Sequence, residues 1–181
     1  MSHYPRLASD IFEKYFNKVD YTVAYWYPFR FVQIIYFVDI IPESDSYWPE
    51  KITSITNNNT LKWIEEHLWF INLSPRDKCF DVLSGTNINE AGAKDLADAA
   101  HGLWQAILDK DLAKFGHFFK ASFEAQIAMF PHMVTPQITE AIRKYEKQVL
   151  GWKISGAGGG GYLVLVSEGA VENAMQVKIR R

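Results

Sequence analysis

Apolar and polar positions change rhythm several times along the chain, and each rhythm predicts an element. Over residues 5–18, Leu7, Ile11 and Tyr15 recur every four positions, which predicts a short amphipathic helix. From Tyr21 to Pro42 the run YTVAYWYPFRFVQIIYFVDIIP is dense in Tyr, Phe, Val and Ile and predicts two strands joined near Pro28. ESDSYWPEKITSITNNNT, Glu43 to Thr60, is rich in Ser, Asn and Thr and predicts a loop or a weakly structured crossing. A short apolar run in His67 to Pro75 predicts a strand stopped by Ser74-Pro75, because proline removes a ladder donor.

Helical period takes over from Gly92. Leu96, Ala99, Ala100, Leu103, Ile107 and Leu108 recur at three and four, until Asp109-Lys110-Asp111 breaks the pattern. Asp111 is a good N-cap for a second helix with Leu112, Phe115, Phe119, Phe123, Ile127 and Phe130 on one face, so the two helices should pair antiparallel. Thr135-Pro136 starts a third helix whose buried side is Ile138, Ile142, Tyr145 and Val149, with Gly151 as its stop. Two apolar strands then flank the glycines of KISGAGGGGYLVLV, followed by a short helical SEGAVENAM and an edge strand VKIRR. Strand, long helices, strand, glycine turn, strand describes an α+β fold: a ferredoxin-like sandwich, its antiparallel sheet covered on one face by long helices. The division expected is residues 1–60, a helix and strands of unassigned type that either stand apart or belong to the same domain, and residues 61–181.

The 181 residues fit one ordinary domain, and 48% hydrophobic residues give ample material for a core. A net charge of -2 offers no basic stripe, so no nucleic-acid partner is expected. Pro28, Arg30, Gln33 and Asp39 interrupt the apolar run after Tyr21, which argues against a membrane span. Its aromatic richness between Tyr21 and Phe37 is a reason to expect self-association into a homo-oligomer. A lone cysteine, Cys79, and an N-terminus without the charged and apolar regions of a signal peptide suggest a cytoplasmic setting.

Four consecutive glycines, Gly158 to Gly161, need a reason, because each costs about 0.5–1 kcal/mol against alanine in a regular element. A tight turn accounts for one or two; close approach of backbone to a ligand or to another, phosphate-binding loop, as in anion sites built from consecutive N–H groups, accounts for more. The segment is neither a Walker A loop, lacking the Gly-Lys-Ser/Thr end, nor a Rossmann fingerprint, since a strand follows it.

Lys153-Ile154-Ser155-Gly156-Ala157-Gly158-Gly159-Gly160-Gly161 resembles the third motif of the GHMP kinases: Lys, apolar, Thr or Ser, Gly-Ala-Gly, any residue, Gly-Gly, then an apolar strand. That family includes galactokinase, homoserine kinase, mevalonate kinase and phosphomevalonate kinase, and the GAGGGG form with a closing basic strand is similar to its fucokinase and heptose-phosphate kinase branch. The resemblance extends back to about Trp63 and implies the C-terminal domain of an ATP- and Mg²⁺-dependent kinase acting on a sugar or sugar phosphate. It implies that Ser155, Gly156, Ala157, Gly158, Gly159, Gly160 and Gly161 form the wall that supports a phosphate loop and the substrate side of the cleft. The family's phosphate loop, Pro-x-x-x-Gly-Leu-Gly-Ser-Ser-Ala, has no counterpart in these residues; Gly85-Thr86-Asn87 is the nearest small-residue turn. A chain with that wall and without that loop should be inactive alone, bind no cofactor by itself and need an N-terminal kinase domain in cis or in trans. No catalytic base carries over. The alternative is a non-catalytic binding or assembly module of the same fold.

Arg76, at the end of the LSPR strand, is a candidate contact for a substrate phosphate, although a solvated loop arginine has the same sequence signature. His101, His117 and His132 lack metal-ligand spacing, and no metal site is expected. Asp109 and Asp111 read as a helix break and a cap, not an acid-base pair; Ser122 and Glu124 are further cleft candidates on the second helix.

Overall fold

A computed structural model describes residues 21–25, 35–40, 51–76, 80–81, 83–155 and 158–179, with the first two segments and residues 51–52 described by backbone alone. The predicted helix over residues 5–18 lies outside them. Two antiparallel sheets and four α-helices make up the described part, an α+β fold.

The first sheet contains β1 (Tyr21–Tyr25), β2 (Ile35–Ile40) and β3 (Lys51–Ile55), in that spatial order. Tyr21 pairs with Ile40 and Tyr25 with Tyr36, so the two expected strands form as an antiparallel pair. β3 corrects the reading of residues 43–60 as a loop: KITSI carries three β-branched residues, Ile52, Thr53 and Ile55, which favour a strand, and it pairs with β2 from Ile35–Ile55 to Asp39–Lys51. Asn57 ends that segment, its side chain accepting from the N–H groups of Asn59 and Thr60 and capping α1 (Asn58–His67). The expected division at residue 60 falls inside this helix.

The second sheet holds β4 (Leu68–Asn72), β5 (Gly151–Ser155), β6 (Tyr162–Val166) and β7 (Met175–Gln176) in the order β5-β6-β4-β7, every neighbour antiparallel. The first strand of this sheet thus sits between its third and fourth, and the crossover from β4 to β5 carries α2 (Glu90–Asp109), α3 (Leu112–Met129) and α4 (Pro136–Tyr145). Lys110 turns the chain between α2 and α3 in the left-handed conformation, φ 54°, and Asp111 caps α3 through the Lys114 N–H, so the two helices pair as an antiparallel hairpin. Thr135 caps α4, with Pro136 at its first position. The helix ends at Tyr145, earlier than the pattern suggested, and Gly151 begins β5 instead of ending α4. Residues 167–174 form bends and a turn in place of the expected short helix; Asn173 there adopts φ 59°. The terminal edge strand starts at Met175, two residues early, and continues as the Val177 N–H donates to Leu68 O.

Four successive β6 side chains, Leu163 to Val166, are buried, which requires cover on both faces. Val164 and Val166 join Leu61, Ile64, Ala106, Ile107, Phe115 and Phe119; Leu163 and Leu165 join Ile138, Tyr145, Ile154 and Val171. α1 and the α2–α3 hairpin thereby fill one apolar cluster, and α4 with the 167–174 segment contributes to the other. Among the described residues, no helix is long and apolar enough to cross a membrane.

Candidate functional site

The glycine segment closes the β5–β6 hairpin at the end of the sheet where β4 also ends. Gly158, Gly159, Gly160 and Gly161 have φ values of 84°, 74°, 158° and 94°. Two backbone contacts hold it against the end of β4: the Leu73 N–H donates to Gly161 O at 2.8 Å, and the Gly161 N–H donates to Ser74 O at 3.1 Å. A third ties it to the 3-10 turn Pro131–Met133, where the Gly159 N–H donates to Met133 O at 2.9 Å.

Crowding explains the missing side chains better than the turn does. A Cβ on Gly160 would lie 2.5 Å from Ser74 O and 2.7 Å from the Arg76 nitrogen; one on Gly158 would lie 2.7 Å from Met133 Cα. A Cβ on Gly159 would strike the Phe80 ring, while one on Gly161 meets, among the described residues, only Ser155 O, at 3.5 Å. Three of the four glycines therefore allow close approach of other chain segments, and the fourth serves the backbone conformation.

The fold brings together Ser155, Gly158 to Gly161 and Arg76. Ser155 pairs with Tyr162 at the last rung of the hairpin, and Arg76 has its backbone against Gly160 and its residue exposed to solvent. Gly156 and Ala157 lie outside the described residues. Gly85, φ 66°, joins the same end, with the His132 ring 3.6 Å from where its Cβ would be, and the Asn87 N–H donates to Met129 O. The two small-residue turns are thus neighbours of the same 3-10 turn. Phe70 and Tyr162 make an edge-on aromatic contact, centroids 5.3 Å apart, on the sheet beside Ser155.

The seam between α3 and β5 leads into this region. At one end the helix backbone touches the strand: a Cβ on Gly151 would collide with Gly116 O. Further along, the Lys153 ammonium donates to Ser122 Oγ at 2.6 Å; Ser122 is buried in the helix–sheet interface. Lys153 keeps some exposure as a residue, but burial of its ammonium lowers its pKa from 10.5 to about 8. One helical turn beyond Ser122, Gln126 Oε1 is buried without a hydrogen-bond partner among the described residues. Lys120 stands over the Trp152 ring at 4.5 Å and pairs with Glu124 at 3.5 Å, which places Glu124 on the exposed helix surface. Ser122, a cleft candidate from the sequence, is thus the burial partner of Lys153, which the sequence presented only as the first residue of the glycine motif.

The remaining candidates have local partners. His101 Nδ1 is 3.1 Å from Ala97 O, His117 packs edge-on against Phe118, and Asp111 bonds the Lys114 N–H, which lowers its carboxyl pKa. Among the described residues, no group of three or more His, Cys, Asp or Glu could hold a metal ion.

A nucleotide phosphate cradle needs free backbone donors. The N–H groups of Gly159 and Gly161 are already committed to Met133 O and Ser74 O. These two amides do not fit a phosphate cradle; they suit a rigid shelf that abuts another loop. No family model matches the chain, and no curated protein matches it.

Proposed function

We propose that this chain is the C-terminal domain of a GHMP-type kinase, which transfers the γ-phosphoryl group of ATP to a hydroxyl of a sugar or sugar phosphate. The observation that carries the reading is the glycine segment: its sequence resembles the family's third motif, and its committed amides and crowded backbone suit a supporting wall. In this role Gly158, Gly159 and Gly160 hold the shelf against Met133, Phe80 and Ser74–Arg76, and Arg76 lies at its rim for a substrate phosphate.

ATP and Mg²⁺ would supply the phosphoryl group and neutralise its charge in the complete enzyme, held by a phosphate loop that these residues do not provide. The domain's own contribution is positional: a fixed wall against which that loop and the substrate are aligned.

The test is ATP-dependent phosphorylation of a panel of sugars and sugar phosphates, measured for this chain alone and for it joined to a domain carrying the Pro-x-x-x-Gly-Leu-Gly-Ser-Ser-Ala loop. The chain alone should transfer nothing and the joined protein should turn over. A turnover of about 1 per second by the chain alone, the low end of kinase rates, would overturn the proposal. So would a joined protein that binds ATP and phosphorylates no sugar. That last result would favour the second reading, a non-catalytic assembly module of the same fold.

A further inference from the structure

Among the described residues, hydrogen-bond donors outnumber acceptors where α3 crosses β5. The helix backbone lies against the strand where Gly116 meets Gly151; two residues along β5, the Lys153 ammonium donates to Ser122 Oγ at 2.6 Å. That bond is the only one either side chain makes with a described residue. An ammonium has three N–H groups and a serine one O–H, so two donors of Lys153 and the hydroxyl proton of Ser122 remain unspent. Ser155 adds a further hydroxyl, two residues beyond Lys153 and therefore on the same face of the strand.

No described carboxylate answers this positive charge. On α3, Glu124 pairs with Lys120 at the exposed surface, and neither β4, β5 nor β6 carries an Asp or Glu. Buried ammonium groups ordinarily come with a counter-ion, because desolvation without one is costly. Lys153 and Ser155 both keep partial exposure, so a solute can reach them.

We propose that Lys153, Ser122 and Ser155 form a binding site for the phosphate group of a small ligand. Lys153 supplies the charge and the two hydroxyls supply direction; three terminal phosphate oxygens match three donor side chains, where a carboxylate offers two. Burial leaves the Lys153 amine with a pKa of about 8, so at pH 7 it is still charged and meets the phosphate as a cation. The site stands on these side chains and not on the kinase reading.

Titration of the full chain followed by backbone-amide NMR at pH 7 tests it without any phosphoryl transfer, so its failure is distinguishable from failure of the kinase reading. Inorganic phosphate should shift the signals of Ser122, Lys153 and Ser155 saturably, while chloride at matched ionic strength should not, and Lys94 and Lys114, which pair with aspartates at the surface, should stay in place. Lys153→Gln should abolish the response, and Ser122→Ala should weaken binding about tenfold, the loss expected for one hydrogen bond to a charged group. Glycerol phosphate binding more tightly than inorganic phosphate would identify an organic phosphate as the ligand, and equal binding a free phosphate; either supports the site. No saturable shift at these three residues would overturn it, as would acetate binding as tightly as phosphate. The wild-type titration decides even if the variants do not fold.

Discussion

Replacing glycines one at a time with alanine separates crowding from turn geometry, because the four sites and a control differ in what a methyl would meet. At Gly158 both costs apply. Its φ of 84° is unfavourable for a residue with a Cβ, at about 1–2 kcal/mol, and the methyl would press on Met133 backbone, adding about 1–3 kcal/mol of overpacking. Gly158→Ala should therefore destabilise by about 2–5 kcal/mol. Gly160→Ala meets Ser74 O and the Arg76 nitrogen, backbone atoms that cannot rotate away, and belongs to the same class. Gly161→Ala has a φ of 94° but only an ordinary contact, so about 1–2 kcal/mol is expected. Gly169→Ala has nothing within 4 Å and should be neutral or stabilising by up to about 1 kcal/mol. Urea unfolding at constant m-value measures the series. If Gly161→Ala costs as much as Gly158→Ala and Gly160→Ala, turn conformation explains the glycines and the shelf argument is wrong.

Two further predictions concern charge and capping. The folded-state pKa of Lys153 is below its unfolded value, so the folded chain binds fewer protons between about pH 8 and 10.5, and stability rises with pH across that window. Below pH 8 the charged amine costs up to about 3 kcal/mol, at 1.4 kcal/mol per tenfold change in proton affinity. Lys153→Met should accordingly raise stability at pH 7, with a gain that vanishes near pH 10.5; a loss at pH 7 in urea unfolding would contradict the burial argument. Thr135→Ala removes the acceptor for the Ile138 N–H and should cost about 1 kcal/mol; an unchanged unfolding midpoint would show that the cap contributes nothing.

The helices from Glu90 to Tyr145 were legible because their signals are local, whereas α1, Asn58–His67, was not among the expected elements. Asp111 and Thr135 cap where they were expected to, and the Phe115, Phe119, Phe123 stripe is buried. Strand order was not legible, since β4 meets β6 across some ninety residues and only the fold decides it. KITSI was hidden by its surroundings: serines and asparagines on both sides masked a strand of five residues. The same limit applies to the site. The glycines announced close approach, but what approaches them, Met133, Phe80 and Ser74 to Arg76, comes from segments distant in sequence and carrying no motif. Lys153 stood within the quoted motif, yet its distinguishing property depends on burial under α3, which the strand's own residues do not encode.

The most direct test of the central claim, that this chain is the supporting half of a sugar kinase, is phosphoryl transfer from ATP by the joined protein with glycine 160 intact and with Gly160→Ala. Transfer to a sugar or sugar phosphate by the intact protein, and its loss in the variant while nucleotide still binds, is the predicted result. Transfer that is unchanged by the substitution, or that the chain performs without its partner domain, would contradict the account.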